Sequence, residues 1–245
     1  VVGYDGVGNL TVANGGNVAV EGYDDNYHAA IFLGRDSGSS GGILVTGASS
    51  HLDVLPGTGS VIVGLGGNGS LTVANGGYVG DAASDSNNIA MLIGYDAGST
   101  GTVTVSDVAN IDGNTVQSEM DVYDGAITVG YNGTGNLVVA NGGYVYSDNS
   151  DGNDVGVSVG TNANSTGNVT VTGVETNSGD ESELYVGYGA LAVGYNGTGN
   201  LTVANGGYVY SDDSDENGVG VYIGANANST GNVTVTGVEL NSETQ

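Results

Sequence analysis

The segment Gly194–Val209 reads GYNGTGNLTVANGGYV, and close copies of it run through the whole chain. The Asn-Gly-Gly step of this segment recurs at intervals of 61, 66 and 64 residues, at Asn14, Asn75, Asn141 and Asn205. A second marker, an aliphatic residue followed by glycine, recurs mostly every 30 residues, with its glycine at Gly3, Gly34, Gly64, Gly94, Gly130, Gly160, Gly194 and Gly224. The repeats predict one domain, residues 1–245, built from eight units of about 30 residues that form four tandem double-rung repeats of about 60.

Within each unit apolar and polar residues alternate, which is the pattern of a β-strand. Aligning the units gives three purely aliphatic columns. The first column holds Val2, Leu33, Val63, Ile93, Val129, Val159, Val193 and Ile223. The second holds Leu10, Ile43, Leu71, Val103, Leu137, Val169, Leu201 and Val233, and the third holds Val12, Val45, Val73, Val105, Val139, Val171, Val203 and Val235. A hairpin array would not keep one residue type at one phase in every unit, so the columns predict stacked parallel strands.

We therefore predict an all-β fold, a right-handed parallel β-solenoid of eight rungs with two or three short strands in each rung. Strand one ends at the aliphatic-Gly marker, and strand two is the Leu-Thr-Val or Val-Thr-Val segment. A shorter strand three is expected in alternate rungs, where it carries Val18, Val79, Val145 and Val209. At about 4.8 Å between strands the body would be roughly 38 Å long.

Composition excludes several classes of function. The chain has 48 glycines, one proline and no cysteine, so a helix-rich fold, a disulfide framework and a thiolate metal site are ruled out. With 27 acidic residues against one basic residue, the net charge of −26 predicts no nucleic-acid partner. No apolar run is long enough for a membrane span, so membrane insertion is not expected. The near absence of Lys and Arg suits an exported, protease-exposed protein, which favours an extracellular or cell-surface location.

The repeat resembles a known group of sequences. Gly194–Val209, together with the segment GYDAGSTGTVTV at Gly94–Val105, is similar to the repeats of autotransporter passenger domains and of exported bacterial proteins with a PEP-CTERM sorting tail. This resemblance implies a secreted, β-helical surface protein, and it carries over no catalytic residue.

The sequence favours a structural role over an enzymatic one, and no catalytic residue is predicted. An enzyme acting on acidic sugars needs cationic side chains to hold its substrate, and Arg35 is the single one in the chain. His28 and His51 lie in different rungs without repeated partners. Neighbouring carboxylates such as Asp212 and Asp213 point to opposite sides of a strand. We expect a repeat protein that assembles with itself, head to tail, into a filament, sheath or surface layer, or forms an adhesin stalk that contacts glycans or a cell surface.

Acidic loops follow strand three in alternate rungs, and stacking would bring them to one edge of the solenoid. Carboxylate, amide and carbonyl oxygens suit Ca²⁺. The predicted metal ligands are Asp148, Asp151, Asp154, Asp212, Asp213 and Asp215. A solvated acidic edge that prevents aggregation is the alternative.

Three further patterns concern surfaces. An outward column of strand two holds Thr11, Thr72, Thr104, Thr170, Thr202 and Thr234, interrupted by Leu44 and Val138, and a flat threonine array makes ice binding the alternative function. The outward column of strand one is apolar in the early rungs, which predicts a lateral protein contact, or a covering loop, at Phe32, Ile62 and Leu92. Neither end of the sequence resembles a cap, so we expect an end-to-end contact through Val1, Val2, Val233 and Val235; the alternative is that the chain is an excerpt of a longer solenoid.

Overall fold

Three parallel sheets form the body of the protein. The computed structural model describes residues 1–22, 24, 26–56, 59–81, 89–123, 125–149, 155–175, 178–212 and 219–237, and it contains no helix in these ranges. Sheet 1 consists of β3 (Ala29–Leu33), β6 (Ser60–Val63), β9 (Ile89–Ile93), β14 (Ala126–Val129), β17 (Val155–Val159), β20 (Ala190–Val193) and β23 (Val221–Ile223). Sheet 2 consists of β1 (Val7–Ala13), β4 (Ser40–Thr46), β7 (Asn68–Ala74), β10 (Thr100–Ser106), β15 (Thr134–Ala140), β18 (Thr166–Thr172), β21 (Thr198–Ala204) and β24 (Thr230–Thr236). Sheet 3 consists of β2 (Asn17–Val20), β5 (His51–Val54), β8 (Tyr78–Asp81), β13 (Glu119–Val122), β16 (Tyr144–Asp148), β19 (Glu183–Tyr188) and β22 (Tyr208–Ser211).

The chain visits sheets 1, 2 and 3 in turn, so the predicted parallel β-solenoid is confirmed. The predicted count of eight rungs differs slightly from the structure, which has eight strands in sheet 2 but fewer complete turns. In the described ranges, six turns contain all three strands, and partial turns, β1–β2 and β23–β24, precede and follow them.

Strand three occurs in every complete turn, so its prediction in alternate rungs was wrong. Between the predicted valines, sheet 3 places Leu52, Met120 and Leu184 in the same inward column, each fully buried or 1% exposed. The pattern is hidden in the sequence because the connection from sheet 2 to sheet 3 varies in these turns. It covers residues 47–50, 107–118 and 173–182, so strand three has no constant distance from the markers.

The core lies between the three sheets, and the three aliphatic columns line it in the predicted register. The residue that follows each first-column side chain is glycine for a steric reason. Gly130, for example, has a φ of 76°, and a Cβ there would collide with the carbonyl oxygen of Thr166 in the next rung. The close approach of these corners allows the rungs to stack without a gap.

Phe32, Ile62 and Leu92 form a second, smaller apolar cluster on the outer side of sheet 1. They are 4%, 0% and 1% exposed, and they pack with Ala29 and Leu65. The chain itself covers them, because the partly buried side chains of Tyr27, Ile89, Tyr95 and Tyr131 lie against the cluster. Side chains of the same chain therefore bury these three residues, which contradicts the lateral protein contact predicted through them.

Two insertions project from the corner between sheets 2 and 3. One is an antiparallel hairpin of β11 (Val108–Ile111) and β12 (Asn114–Gln117), whose turn residues Asp112 and Gly113 both have positive φ. The other is a short loop closed by an antiparallel bridge between Val174 and Glu181. Neither insertion was predicted from the sequence. The part of the chain that the structure describes has no helix able to cross a membrane.

Candidate functional site

The outer side of sheet 3 carries the most distinctive chemistry of the molecule. In one outward column, register pairing aligns Asn17, His51, Tyr78, Glu119, Tyr144, Glu183 and Tyr208. In the next, it aligns Ala19, Asp53, Gly80, Asp121, Tyr146, Tyr185 and Tyr210. From Tyr78 onward, the tyrosines and carboxylates of these two columns form one surface, which also includes Tyr123, Asp148 and Tyr188 beyond the columns. We call this surface the tyrosine face.

Asp121 is the polar centre of this face in the middle rungs. Its Oδ2 accepts hydrogen bonds from the Tyr123 hydroxyl at 2.8 Å and from the Tyr78 hydroxyl at 3.3 Å. These rings cover the carboxylate, which leaves Asp121 only 5% exposed although it points outward. One rung further on, the Tyr146 hydroxyl donates to Asp148 Oδ2 at 3.3 Å.

A ladder of aromatic rings continues along the solenoid axis. Tyr146 and Tyr185 have ring centroids 5.4 Å apart, and Tyr185 and Tyr210 have centroids 5.0 Å apart. Tyr123 contacts Tyr146 edge to face at 5.9 Å. The ladder follows from register, because Tyr146, Tyr185 and Tyr210 are direct partners on neighbouring parallel strands.

Burial, together with nearby carboxylates, disfavours the ionisation of Glu119 and of four tyrosines on this face. Burial, followed by the charge of Asp121, raises the pKa of Glu119 from 4.5 to about 7. Burial also raises the pKa of Tyr78 and of Tyr146 to about 12, with nearby carboxylates adding to the effect. The same causes raise the pKa values of Tyr123 and Tyr144. These four phenols therefore stay protonated at neutral pH, and those of Tyr78, Tyr123 and Tyr146 act as hydrogen-bond donors.

The structure describes two of the six predicted metal ligands. Asp148 ends β16, and Asp212 directly follows β22. Asp151, Asp154, Asp213 and Asp215 lie outside the described residues. Hydrogen bonds close the loop bases, from the Ser147 hydroxyl to the Gly156 carbonyl and from the Ser211 hydroxyl to the Gly220 carbonyl. No three His, Asp or Glu side chains are grouped to hold a metal ion within the ranges that the structure covers, and calcium binding stays a prediction.

The residues predicted for end-to-end contact lie at opposite ends of the solenoid. Val2 bridges Leu33 of the next turn, and Val1 beside it is 62% exposed. At the other end, Val233 and Val235 of β24 are 37% and 71% exposed. In sheet 2 as described, β1 pairs only with β4, and β24 pairs only with β21.

Arg35 and His51, which were considered for catalysis, have different neighbours in the structure. Arg35 contacts Asp36 at 3.7 Å and lies over the Tyr4 ring, and His51 packs against Tyr78. An open groove of about 340 Å³ separates the two corner insertions, and it is lined by Asn75, Asp107, Val108, Asn141, Val174 and Glu175.

The threonine column predicted on strand two does lie on the outer side of sheet 2, in register across the strands. Ice binding and glycan binding stay predictions.

One structural motif that holds the corner between sheets 2 and 3 together was not predicted from the sequence. Ser50, Ser118 and Ser182 are fully buried, and the hydroxyl of each accepts a hydrogen bond from the second residue of an Asn-Gly-Gly step one turn earlier. The donors are the backbone N–H groups of Gly15, Gly76 and Gly142, at 3.0 to 3.1 Å. The signal available in the sequence was a serine directly before strand three, but only knowledge of that strand would have revealed it.

Comparison of the chain with protein-family models, with curated proteins and with solved structures found no match.

Proposed function

We propose that this chain is a secreted structural repeat protein, a rigid β-solenoid rod whose copies stack end to end into an extracellular filament, sheath or surface layer. The observation that carries the proposal is the exposure of inward-type side chains on β24. Val233 and Val235 are 37% and 71% exposed, whereas Leu201 and Val203 in the same two columns, one turn earlier, are 4% and 9% exposed. A further rung of the same design would bury them.

The strands at the two ends of sheet 2 are compatible with such a contact. β24 reads TGNVTVT and β1 reads VGNLTVA. Within the protein, β18 with the sequence TGNVTVT already pairs in register with β21, TGNLTVA. A β24–β1 contact between two copies would repeat this pairing almost residue for residue.

Side chains on the outer surface support the same register. The Asn200 amide donates to Asn168 Oδ1 at 2.9 Å, and the Asn232 amide donates to Asn200 Oδ1 at 2.9 Å. Asn9 of β1 occupies the same position of the repeat, so it would extend this asparagine ladder across the contact. Burying Val233 and Val235 would add the hydrophobic contribution, about 25 cal/mol for each Å² of apolar surface removed from water.

The proposal is tested by electron microscopy and sedimentation of the 245-residue chain and two variants. Val235→Asp places a charge inside the proposed contact, and Thr234→Asp places the same charge beside it on the outer surface. We expect rods that lengthen with protein concentration for the parent chain and for Thr234→Asp, and single particles for Val235→Asp. Because Val235 is exposed in the single chain, the circular dichroism of all three proteins should be the same. Equal assembly of the two variants, or single particles of the parent chain at every concentration, would contradict end-to-end stacking.

A further inference from the structure

We propose that the ladder formed by Tyr146, Tyr185 and Tyr210 is a site of oxidative cross-linking, where a peroxidase-class oxidant using hydrogen peroxide joins neighbouring rings as dityrosine. The product would be a covalent link between adjacent rungs of a chain that contains no cysteine.

The composition and burial of the chain direct one-electron oxidation to tyrosine. There is no tryptophan or cysteine, and there are 15 tyrosines. The two methionines, Met91 and Met120, are fully buried. An external oxidant therefore meets phenol rings before it meets any other readily oxidised side chain. Tyr210, at one end of the ladder, is 38% exposed.

Register supplies the proximity that coupling needs. Tyr185 is the direct cross-strand partner of Tyr146 on one side and of Tyr210 on the other. The ring centroids are 5.4 and 5.0 Å apart, with the planes inclined by 45° and 37°. Two radicals formed on such rings can meet by side-chain rotation alone, while the parallel strands stay paired.

A proton acceptor is present beside the ladder. Oxidation of a phenol to its phenoxyl radical releases the hydroxyl proton together with the electron. The Tyr146 hydroxyl donates to Asp148 Oδ2 at 3.3 Å, which gives that proton a destination. This arrangement favours proton-coupled oxidation of Tyr146 over that of a phenol without a carboxylate partner.

The chemistry balances with hydrogen peroxide as the oxidant. Each of two tyrosines loses one electron and its hydroxyl proton to give a phenoxyl radical. The radicals combine through a new carbon–carbon bond between ring positions ortho to the oxygens, and the two ortho protons move to the oxygens as the rings regain aromaticity. The two electrons and two protons released reduce one hydrogen peroxide to two waters, and the protein loses two hydrogen atoms in total.

The experiment treats dilute parent protein with a haem peroxidase and hydrogen peroxide, followed by proteolysis and mass spectrometry of the peptides. We expect intramolecular peptide pairs joining Tyr185 to Tyr210 or to Tyr146, each lighter by two hydrogen atoms, together with dityrosine fluorescence. Tyr185→Phe removes the middle ring while keeping its packing, and these pairs should disappear. Tyr188→Phe is the matched control on the same strand, since Tyr188 makes no ring contact among the described residues and is 37% exposed.

Stability provides a second measurement on the same samples. A bond between β19 and β22 restricts the unfolded chain, so treated parent protein should unfold at a higher temperature than treated Tyr185→Phe. The proposal is overturned if oxidation gives only modified single tyrosines or links between chains. It is also overturned if Tyr185→Phe retains the same dityrosine yield as Tyr188→Phe.

Discussion

Glu119 shows how a single residue on the tyrosine face is affected by its surroundings. It lies between Tyr78 and Tyr144 in one outward column, and Asp121 follows two residues later on the same side of β13. Burial and the Asp121 charge raise the pKa of Glu119 to about 7, so the fold favours its protonated form. Its contribution to stability is therefore complete below about pH 4.5, the ordinary value, and is lost as the pH rises through about 7.

Replacing Glu119 with Gln should remove this loss. We expect Glu119→Gln to be more stable than the parent at pH 8, by on the order of 1–2 kcal/mol after allowance for partial solvent screening. The two proteins should differ little at pH 4.5. Denaturant unfolding at both pH values measures the difference, and Glu21→Gln, at an exposed carboxylate, controls for the change in net charge. An identical pH dependence in the parent and in Glu119→Gln would contradict the assignment.

Among the strands, those of sheet 1 are covered on both sides in the early turns. Their inward residues face the main core, and their outward residues Phe32, Ile62 and Leu92 face the second cluster. The cover consists of aromatic side chains from neighbouring turns, with Tyr27 contacting Phe32 edge to face at 5.7 Å and Tyr95 stacked on Tyr131 at 5.1 Å. Sheet 1 therefore has two hydrophobic faces, which explains why its early strands lack apolar–polar alternation.

Truncating the second cluster should destabilise the fold. We expect Phe32→Ala to lower the free energy of unfolding by about 3–5 kcal/mol, because it removes a buried ring and leaves a cavity. Val7→Ala, at a residue that is 80% exposed, should change it by less than about 0.5 kcal/mol. Chemical denaturation of the three proteins provides the measurement. Unchanged stability of Phe32→Ala, with weaker association between chains, would restore the lateral interface instead.

For the molecule as a whole, the net charge of −26 opposes folding into a short rod. Neighbouring strands are about 4.8 Å apart, well within the Debye length of about 8 Å at physiological ionic strength, so carboxylates on successive rungs repel each other. Salt should therefore raise the melting temperature, by about 2–4 °C for each kcal/mol of repulsion removed.

A comparison of calcium with magnesium distinguishes general screening of the negative charge from specific cation binding by the acidic loops. We expect CaCl₂ to raise the melting temperature more than MgCl₂ at the same ionic strength, because loops rich in carboxylates and amides favour the larger, more flexibly coordinated ion. Replacing Asp148 and Asp212 with Asn should reduce this calcium-specific increment. Equal effects of the two salts would leave the acidic edge as charge that maintains solubility.

Much of the fold could be predicted because stacking repeats one constraint in every rung. A residue such as Val139 meets its counterparts Val105 and Val171 directly above and below, so the same residue type is needed at the same phase throughout. The candidate site was less predictable. Tyr185 and Tyr210 are 25 residues apart in the sequence, and nothing local indicates that they are partners.

By itself, the sequence determined the parallel solenoid, the three inward columns and their register. In a parallel stack each inward residue meets its counterpart one rung away, so the same residue type returns about every 30 residues and the period can be seen in the sequence. Only the tertiary structure decided what covers Phe32, Ile62 and Leu92, where strand three lies in the turns that carry Leu52, Met120 and Leu184, and which tyrosines meet on sheet 3. The physical reason is that the connections between strands differ in length from turn to turn. Residues that are neighbours in the stack therefore lie at irregular intervals in the sequence, and only the stacking of the turns brings them together.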